Sequence, residues 1–246
     1  TITLSFTVSK TLLNNPTVQI LGKTATKDNS SAGLNYVYTY TVVSGDTEGT
    51  AGFSISVTDL AGNVTSGVNT ITTGNNVIVD TTLPTVSDVS IVSSNNTNTL
   101  ARVGDTITLS FTVSETIATP TVTFKSGDDD INNSVTITNT TGDTWTAVYT
   151  VHALDTNGTV TYTIDYNDLA SNSGTQVTSG TGPGSVTVDT VAPGNSDFTI
   201  TGGTANGGII EINTNSQVTV GIVFSEKVQA GWDEFITSAG EPSLSG

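Results

Sequence analysis

Residues 106–114 read TITLSFTVS, and residues 1–9 read the same nine letters without a mismatch. The likeness continues downstream. Tyr36-Val-Tyr-Thr-Tyr-Thr-Val42 answers Trp145-Thr-Ala-Val-Tyr-Thr-Val151, and Asp59-Leu-Ala-Gly-Asn63 answers Asp168-Leu-Ala-Ser-Asn172. Val79-Asp-Thr-Thr-Leu-Pro84 answers Val188-Asp-Thr-Val-Ala-Pro193. The shift is 105 residues for the first pair and 109 for the later ones, so one loop has gained four residues. A third copy starts after Pro193, where Gln217-Val-Thr-Val-Gly-Ile-Val-Phe-Ser-Glu226 takes the place of residues 106–115. A fixed period of this kind marks a tandem array in which each copy is one structural unit.

Within a copy, apolar and polar residues alternate. Ile107, Leu109, Phe111 and Val113 oppose Thr106, Thr108, Ser110 and Thr112; Val160, Tyr162, Ile164 and Tyr166 oppose Thr161, Thr163 and Asp165. Trp145, Ala147, Tyr149 and Val151 share a face, as do Ala51, Phe53, Ile55 and Val57 in the first copy. A period of two is the pattern of a strand with one dry and one wet face, and threonine suits the wet one. With 86–92, 120–124, 134–138 and 185–188 added, each complete copy holds seven short strands. The sequence predicts an all-β chain of tandem antiparallel β-sandwiches. A period of about 100 residues is the size of one immunoglobulin-like sandwich. The expected domains are 1–82, a repeat lacking its first strand; 83–191, a complete repeat; and 192–246, the N-terminal half of a third. Because the chain starts inside a strand pattern, it reads as an excerpt of a longer precursor. If Thr1 were a true terminus, the exposed sheet edge of the first repeat would invite a neighbour's strand.

The 246 residues include no cysteine, which excludes disulfides, thiolate catalysis and cysteine zinc sites together. Six Lys and Arg stand against 22 Asp and Glu, for a formal charge of −16. A nucleic-acid binder needs the opposite sign, and an anionic membrane would repel this surface. No apolar run approaches the ~18 residues of a spanning helix, so no direct membrane insertion is expected. The composition, poor in Lys and rich in Thr, Ser, Asn and Gly, suits life outside the cell. Six Asn-x-Ser/Thr sequons occur, at Asn29, Asn63, Asn95, Asn132, Asn139 and Asn157.

The partner that such a charge invites is a divalent cation, above all Ca²⁺, which prefers hard oxygen ligands. The acids recur in register: Asp46, Asp59, Asp80 and Asp88 become Asp155, Asp168, Asp189 and Asp197 one period later. Tracing a seven-strand sandwich up and down puts the turn of Asp168 and the turn of Glu115 at the pole where the chain arrives from the first copy, carrying Asp80. Asp80, Glu115 and Asp168, with Asn172 nearby, are the expected metal ligands at this junction; Asp189 and Glu226 are the matching pair at the next. Lys10 stands where Glu115 and Glu226 stand, which puts an equivalent site at the head of the first copy in doubt. The plainer reading is that Asp80 and Asp189 cap turns and that Asp59 and Asp168 make Asx-turns. Asp128-Asp129-Asp130 reads as a solvated loop tip. His152 is the only histidine, ends an ordinary strand and has Val43 as its counterpart in the other copy. Neither a Ser–His–Asp triad nor a paired-carboxylate glycosidase finds support, so the chain is read as non-catalytic. Trp145 has Tyr36 as its counterpart and reads as core filling, while Trp232 has none.

These features together resemble the bacterial Ig-like repeats of large surface proteins and adhesins: the strand ending in Phe-Thr-Val-Ser-Glu at 111–115, the aromatic strand before Asp155, the Asp-Leu-Ala-Gly-Asn turn and the Val-Asp-Thr-x-x-Pro linker. The resemblance implies a structural role as an extender of an adhesin stalk, stiffened by Ca²⁺ between domains, at the cell surface or secreted. Subunits of an S-layer or extracellular filament are the alternative that it implies, and a carbohydrate-binding module is a third. Partners would then be neighbouring repeats, copies of the same protein or cell-surface glycans.

Overall fold

The computed structural model describes residues 1–179, 184–201, 204–206, 209–211 and 219–224. Among the described residues every regular element is a strand, and no helix is long and apolar enough to cross a membrane. The chain divides into two compact units, Thr1–Asp189 and Thr190–Gly246.

Within the first unit, repeat one comprises β1 (Ile2–Thr7), β2 (Thr17–Ile20), β3 (Lys23–Thr24), β4 (Thr26–Lys27), β5 (Asn35–Tyr40), β6 (Gly49–Thr50), β7 (Phe53–Thr58), β8 (Val64–Val68) and β9 (Ile78–Val79). One sheet runs β1-β5-β4 and the other β3-β2-β7-β8, with β6 paired to β9. Repeat two comprises β10 (Val86–Ser93), β11 (Leu100–Ala101), β12 (Thr106–Val113), β13 (Thr121–Ser126), β14 (Asp129–Asp130), β15 (Thr136–Thr141), β16 (Thr144–Thr150), β17 (Gly158–Asp165), β18 (Val177–Thr178) and β19 (Thr187–Val188). Its sheets run β10-β12-β16-β15 and β11-β19-β17-β13-β14, and β18 also pairs with β17. This is the strand order of an immunoglobulin sandwich. Among the described residues all strand pairs are antiparallel except β11 with β19, which run parallel. The second unit holds β20 (Asn195–Thr201) paired with β23 (Thr219–Phe224), and β21 (Thr204–Asn206) paired with β22 (Ile209–Glu211).

The alternation of the sequence is the cause of this packing. In β12 every second residue, from Ile107 to Val113, is buried, and β16 and β17 follow the same rule. The core of repeat two joins these to Val122, Phe124 and Val188, with Phe124 against Tyr149 at 5.0 Å between ring centres. Full burial of one such side chain is worth about 1.5–3 kcal/mol. Repeat one has its own, smaller cluster around Val18, Ile20, Tyr38, Ile55 and Val79. Trp145 is buried, as a core residue should be, although its indole N–H finds no hydrogen-bond partner.

The strand limits shift where alternation is weak. β13 runs on to Ser126 because Lys125 and Ser126 pair with Asp130 and Asp129 across a tight turn. β15 lies later than 134–138 because its register is set by β16, with Thr136 opposite Val148 and a bulge between Asn139 and Thr141.

Candidate metal centre at the repeat junction

The turn after the sixth main strand is built the same way in both repeats. In repeat one, Asp59 Oδ1 accepts the N–H of Ala61 at 3.0 Å and of Asn63 at 2.9 Å, and Asn63 Nδ2 donates to Asp59 Oδ2 at 3.0 Å. In repeat two, Asp168 Oδ1 accepts the N–H of Asn172 at 2.8 Å and Oδ2 accepts from Asn172 Nδ2 at 2.7 Å. Both aspartates are buried. The fourth residue of the turn lies in the left-handed region, at φ 89° for Gly62 and 73° for Ser171. Glycine meets that requirement without strain, whereas serine meets it at a cost. The Asx-turn reading of these aspartates therefore holds.

It does not exhaust what Asp168 does. A single bridge from Ile117 to Asp168 sets the turn after β12 beside the turn after β17. One carboxylate oxygen each from Asp80, Glu115 and Asp168 lies within 4.8 Å of the others. Three segments distant in sequence thus meet, as the strand tracing anticipates. Asn172 joins them, because its Nδ2 also donates to the backbone oxygen of Asp80 at 3.1 Å. The crowding is felt by Glu115. Burial first, and then the charges of Asp80, Asp168 and Glu48, raise its carboxyl above the ordinary value.

At the head of repeat one the same position carries Lys10. Its Nζ sits 3.1 Å from Asp59 Oδ2. An ammonium here occupies the place that an acid occupies in repeat two.

The donor set can be tested against an ion by its chemistry. All donors are hard oxygens, with no histidine or thiolate among them. Ca²⁺ holds oxygens at about 2.3–2.6 Å, so ligands on opposite sides of it stand about 5 Å apart. Oxygens that all lie within 4.8 Å of one another fit around one such ion. Asp80, Glu115 and Asp168 would hold it, and it would supply charge neutralisation and nothing more.

The remaining expected residues fare differently. Asp189 accepts a hydrogen bond from Asn157 Nδ2 at 3.1 Å on its Oδ1, while its expected partner Glu226 lies outside the described residues, as does Trp232. In the acidic loop, Asp129 accepts from Thr156 Oγ1, and Lys125 stands 3.5 Å from Asp130. His152 Nδ1 accepts the N–H of Leu154, and the backbone N–H of His152 donates to Asp155 Oδ2.

Two features escaped the sequence reading. Asp46 and Asp155 are buried and tie loops together: Asp46 accepts from Tyr40 and Val43, and Asp155 from Asn132 and His152. Their recurrence one period apart was the available signal. Glu48 is the other. It accepts from Thr81 and Thr82 of the linker, but no second copy of it exists to draw notice, since Asn157 stands in its place.

No protein-family model matches the chain, and no curated protein matches it. Among solved structures it is similar to the titin domains z1z2 in complex with telethonin, at 16% identity and TM-score 0.26 over 77% of this chain and 87% of that one. A titin Ig tandem gives 17% identity and TM-score 0.24, over 77% and 88%. A Bacteroides ovatus mixed-linkage glucan utilization locus protein, SGBP-B in complex with a mixed-linkage heptasaccharide, gives 21% identity and TM-score 0.20, over 81% and 43%. At scores this low none of the three bears on what the chain does, and the fold rests on its own sheets.

Proposed function

We propose that this chain is a non-catalytic repeat region of an extracellular surface protein, of the bacterial adhesin type, that acts as a stalk extender stiffened by Ca²⁺ at the joint between repeats. The observation that supports this reading is the meeting of Asp80, Glu115 and Asp168 within 4.8 Å at that joint. Two unit charges at such a distance repel by about 1 kcal/mol in bulk water and by three to four times as much at a partly buried site. The linker brings one of the three, and repeat two brings the other two. Unbalanced, they strain the joint; bridged by a divalent ion, they brace it. The head of repeat one supports the same reading from the other side, because there Lys10 supplies the positive charge covalently.

Calorimetric titration of the metal-free protein with Ca²⁺, paired with thermal melts in chelator and in Ca²⁺, tests it. One ion should bind at the joint, and its removal should lower the melting temperature. Wild-type protein that takes up no Ca²⁺, or that melts alike in chelator and in Ca²⁺, overturns the reading.

A further inference from the structure

The linker residues after β9 are held from both sides. On the side of repeat one, Glu48 Oε1 accepts the N–H of Thr81 at 3.1 Å, the hydroxyl of Thr81 at 3.0 Å and the hydroxyl of Thr82 at 2.7 Å. Glu48 is itself anchored, for it immediately precedes β6, and Gly49 pairs with Val79 one residue before Asp80. On the side of repeat two, Asn172 Nδ2 donates to the backbone oxygen of Asp80. Between these two holds the linker closes a turn of its own, in which the Thr82 N–H donates to Asp80 Oδ1 at 3.1 Å. A stretch that would otherwise be a hinge is thus fastened at consecutive residues to both of its neighbours.

The next boundary repeats the arrangement with other chemistry. One period on, Glu48 becomes Asn157 and Asp80 becomes Asp189, and Asn157 Nδ2 donates to Asp189 Oδ1 at 3.1 Å. The same position reaches the linker in both cases, at neighbouring residues. In one it accepts from the two threonines that follow the aspartate; in the other it donates to the aspartate itself.

We propose that Glu48 is the positioning residue of the joint: by fastening Thr81 and Thr82 to repeat one it aims Asp80 at Glu115 and Asp168, and together with Asn172 it holds the angle between the repeats before any ion arrives. The aiming rests on the cation reading above, whereas the ion-free latch does not. Glu48 lies outside both cores, so its removal leaves each sandwich intact. Its effect falls on the joint and not on the melting of the repeats.

The test uses the full chain with Glu48→Ala, Glu48→Gln and Asn172→Ala. Backbone residual dipolar couplings, measured in chelator for repeat one and repeat two separately, report whether a single alignment tensor describes both. Wild type should need one tensor, and Glu48→Ala should need two. Exchange of the Thr81 amide should accelerate about five-fold on loss of its acceptor. Glu48→Gln keeps an oxygen acceptor for the threonines and should retain the common tensor. Asn172→Ala should loosen the joint from the other side. Ca²⁺ titration then reads the aiming: Glu48→Ala should weaken binding about five-fold, through lost charge and lost orientation together. A Glu48→Ala protein whose couplings still fit one tensor in chelator overturns the latch. Unchanged Ca²⁺ affinity in that variant overturns the aiming. Wild type that binds no Ca²⁺ removes the cation reading and the aiming with it, and the couplings decide the latch alone.

Discussion

The heads of repeat one and repeat two are built on one turn and balanced in two ways. Each buries an aspartate that ties its own loop through an asparagine four residues on. Beside Asp59 stands the ammonium of Lys10, and beside Asp168 stand the carboxylates of Glu115 and Asp80. Among the described residues the first head pairs its aspartate with an ammonium, whereas the second gathers three carboxylates. A single position, Lys10 against Glu115, separates the two, and under the proposed function only the second answers to Ca²⁺.

The sharpest break of this comparison is removal of the shared aspartate. Asp168→Ala leaves the backbone and side-chain donors of Asn172 without their acceptor in a buried turn, and should cost about 3 kcal/mol in denaturant unfolding. Leu169→Ala, one residue along at an exposed apex, should change stability by less than about 0.5 kcal/mol. An equal effect for the two would mean that the turn is not held by its aspartate.

Exchanging the distinguishing residue should transfer the behaviour. In wild type, free Ca²⁺ at a hundred times its dissociation constant should stabilise by about 2.7 kcal/mol. Glu115→Lys should melt alike in chelator and in Ca²⁺, because the joint then carries its own cation. A Ca²⁺ response that persists in Glu115→Lys would place the ion elsewhere.

The turns also differ in backbone comfort, with Gly62 and Ser171 at the same left-handed position. Ser171→Gly should raise the stability of repeat two by about 1 kcal/mol, while Gly62→Ser should lower that of repeat one by a similar amount. Parallel urea melts of the two variants check this.

The smallest difference is in pH, and it has opposite signs. Hydrogen bonds from Asn63, and then Lys10, hold the Asp59 carboxyl far below its ordinary 3.8. The stability that it contributes is in place above pH 3.8 and is lost as pH falls further. Glu115, raised above 4.5, binds its proton more tightly folded than unfolded, so in chelator its joint weakens as pH rises through that range. Acidifying from neutrality toward pH 4.5 should therefore firm the second head before it loosens the first. Glu115→Gln should erase the acid gain in a series of melts.

Much of this was legible in the letters. The nine identical residues and the recurring Asp-Leu-Ala turn define the period, and alternation marks β12, β16 and β17 along nearly their whole lengths. The convergence of Asp80, Glu115 and Asp168 follows from which pole each turn occupies. What was hidden depends on partners. β11, β14 and β18 are two-residue strands joined through backbone groups, which carry no side-chain signature. β15 offers Ile137 as its one apolar residue and takes its register from β16. Glu48 looks like a lone surface acid until its bonds to Thr81 and Thr82 are seen.

The parallel pairing of β11 with β19 has a mechanical consequence. These strands come from the early and the late part of the sequence of repeat two and run side by side in the same direction, with Leu100 beside Thr187 and Ala101 beside Val188. Tension applied at the two ends of the repeat drags them past each other lengthwise. Their bonds are then loaded together, in shear, and none can peel open ahead of the rest.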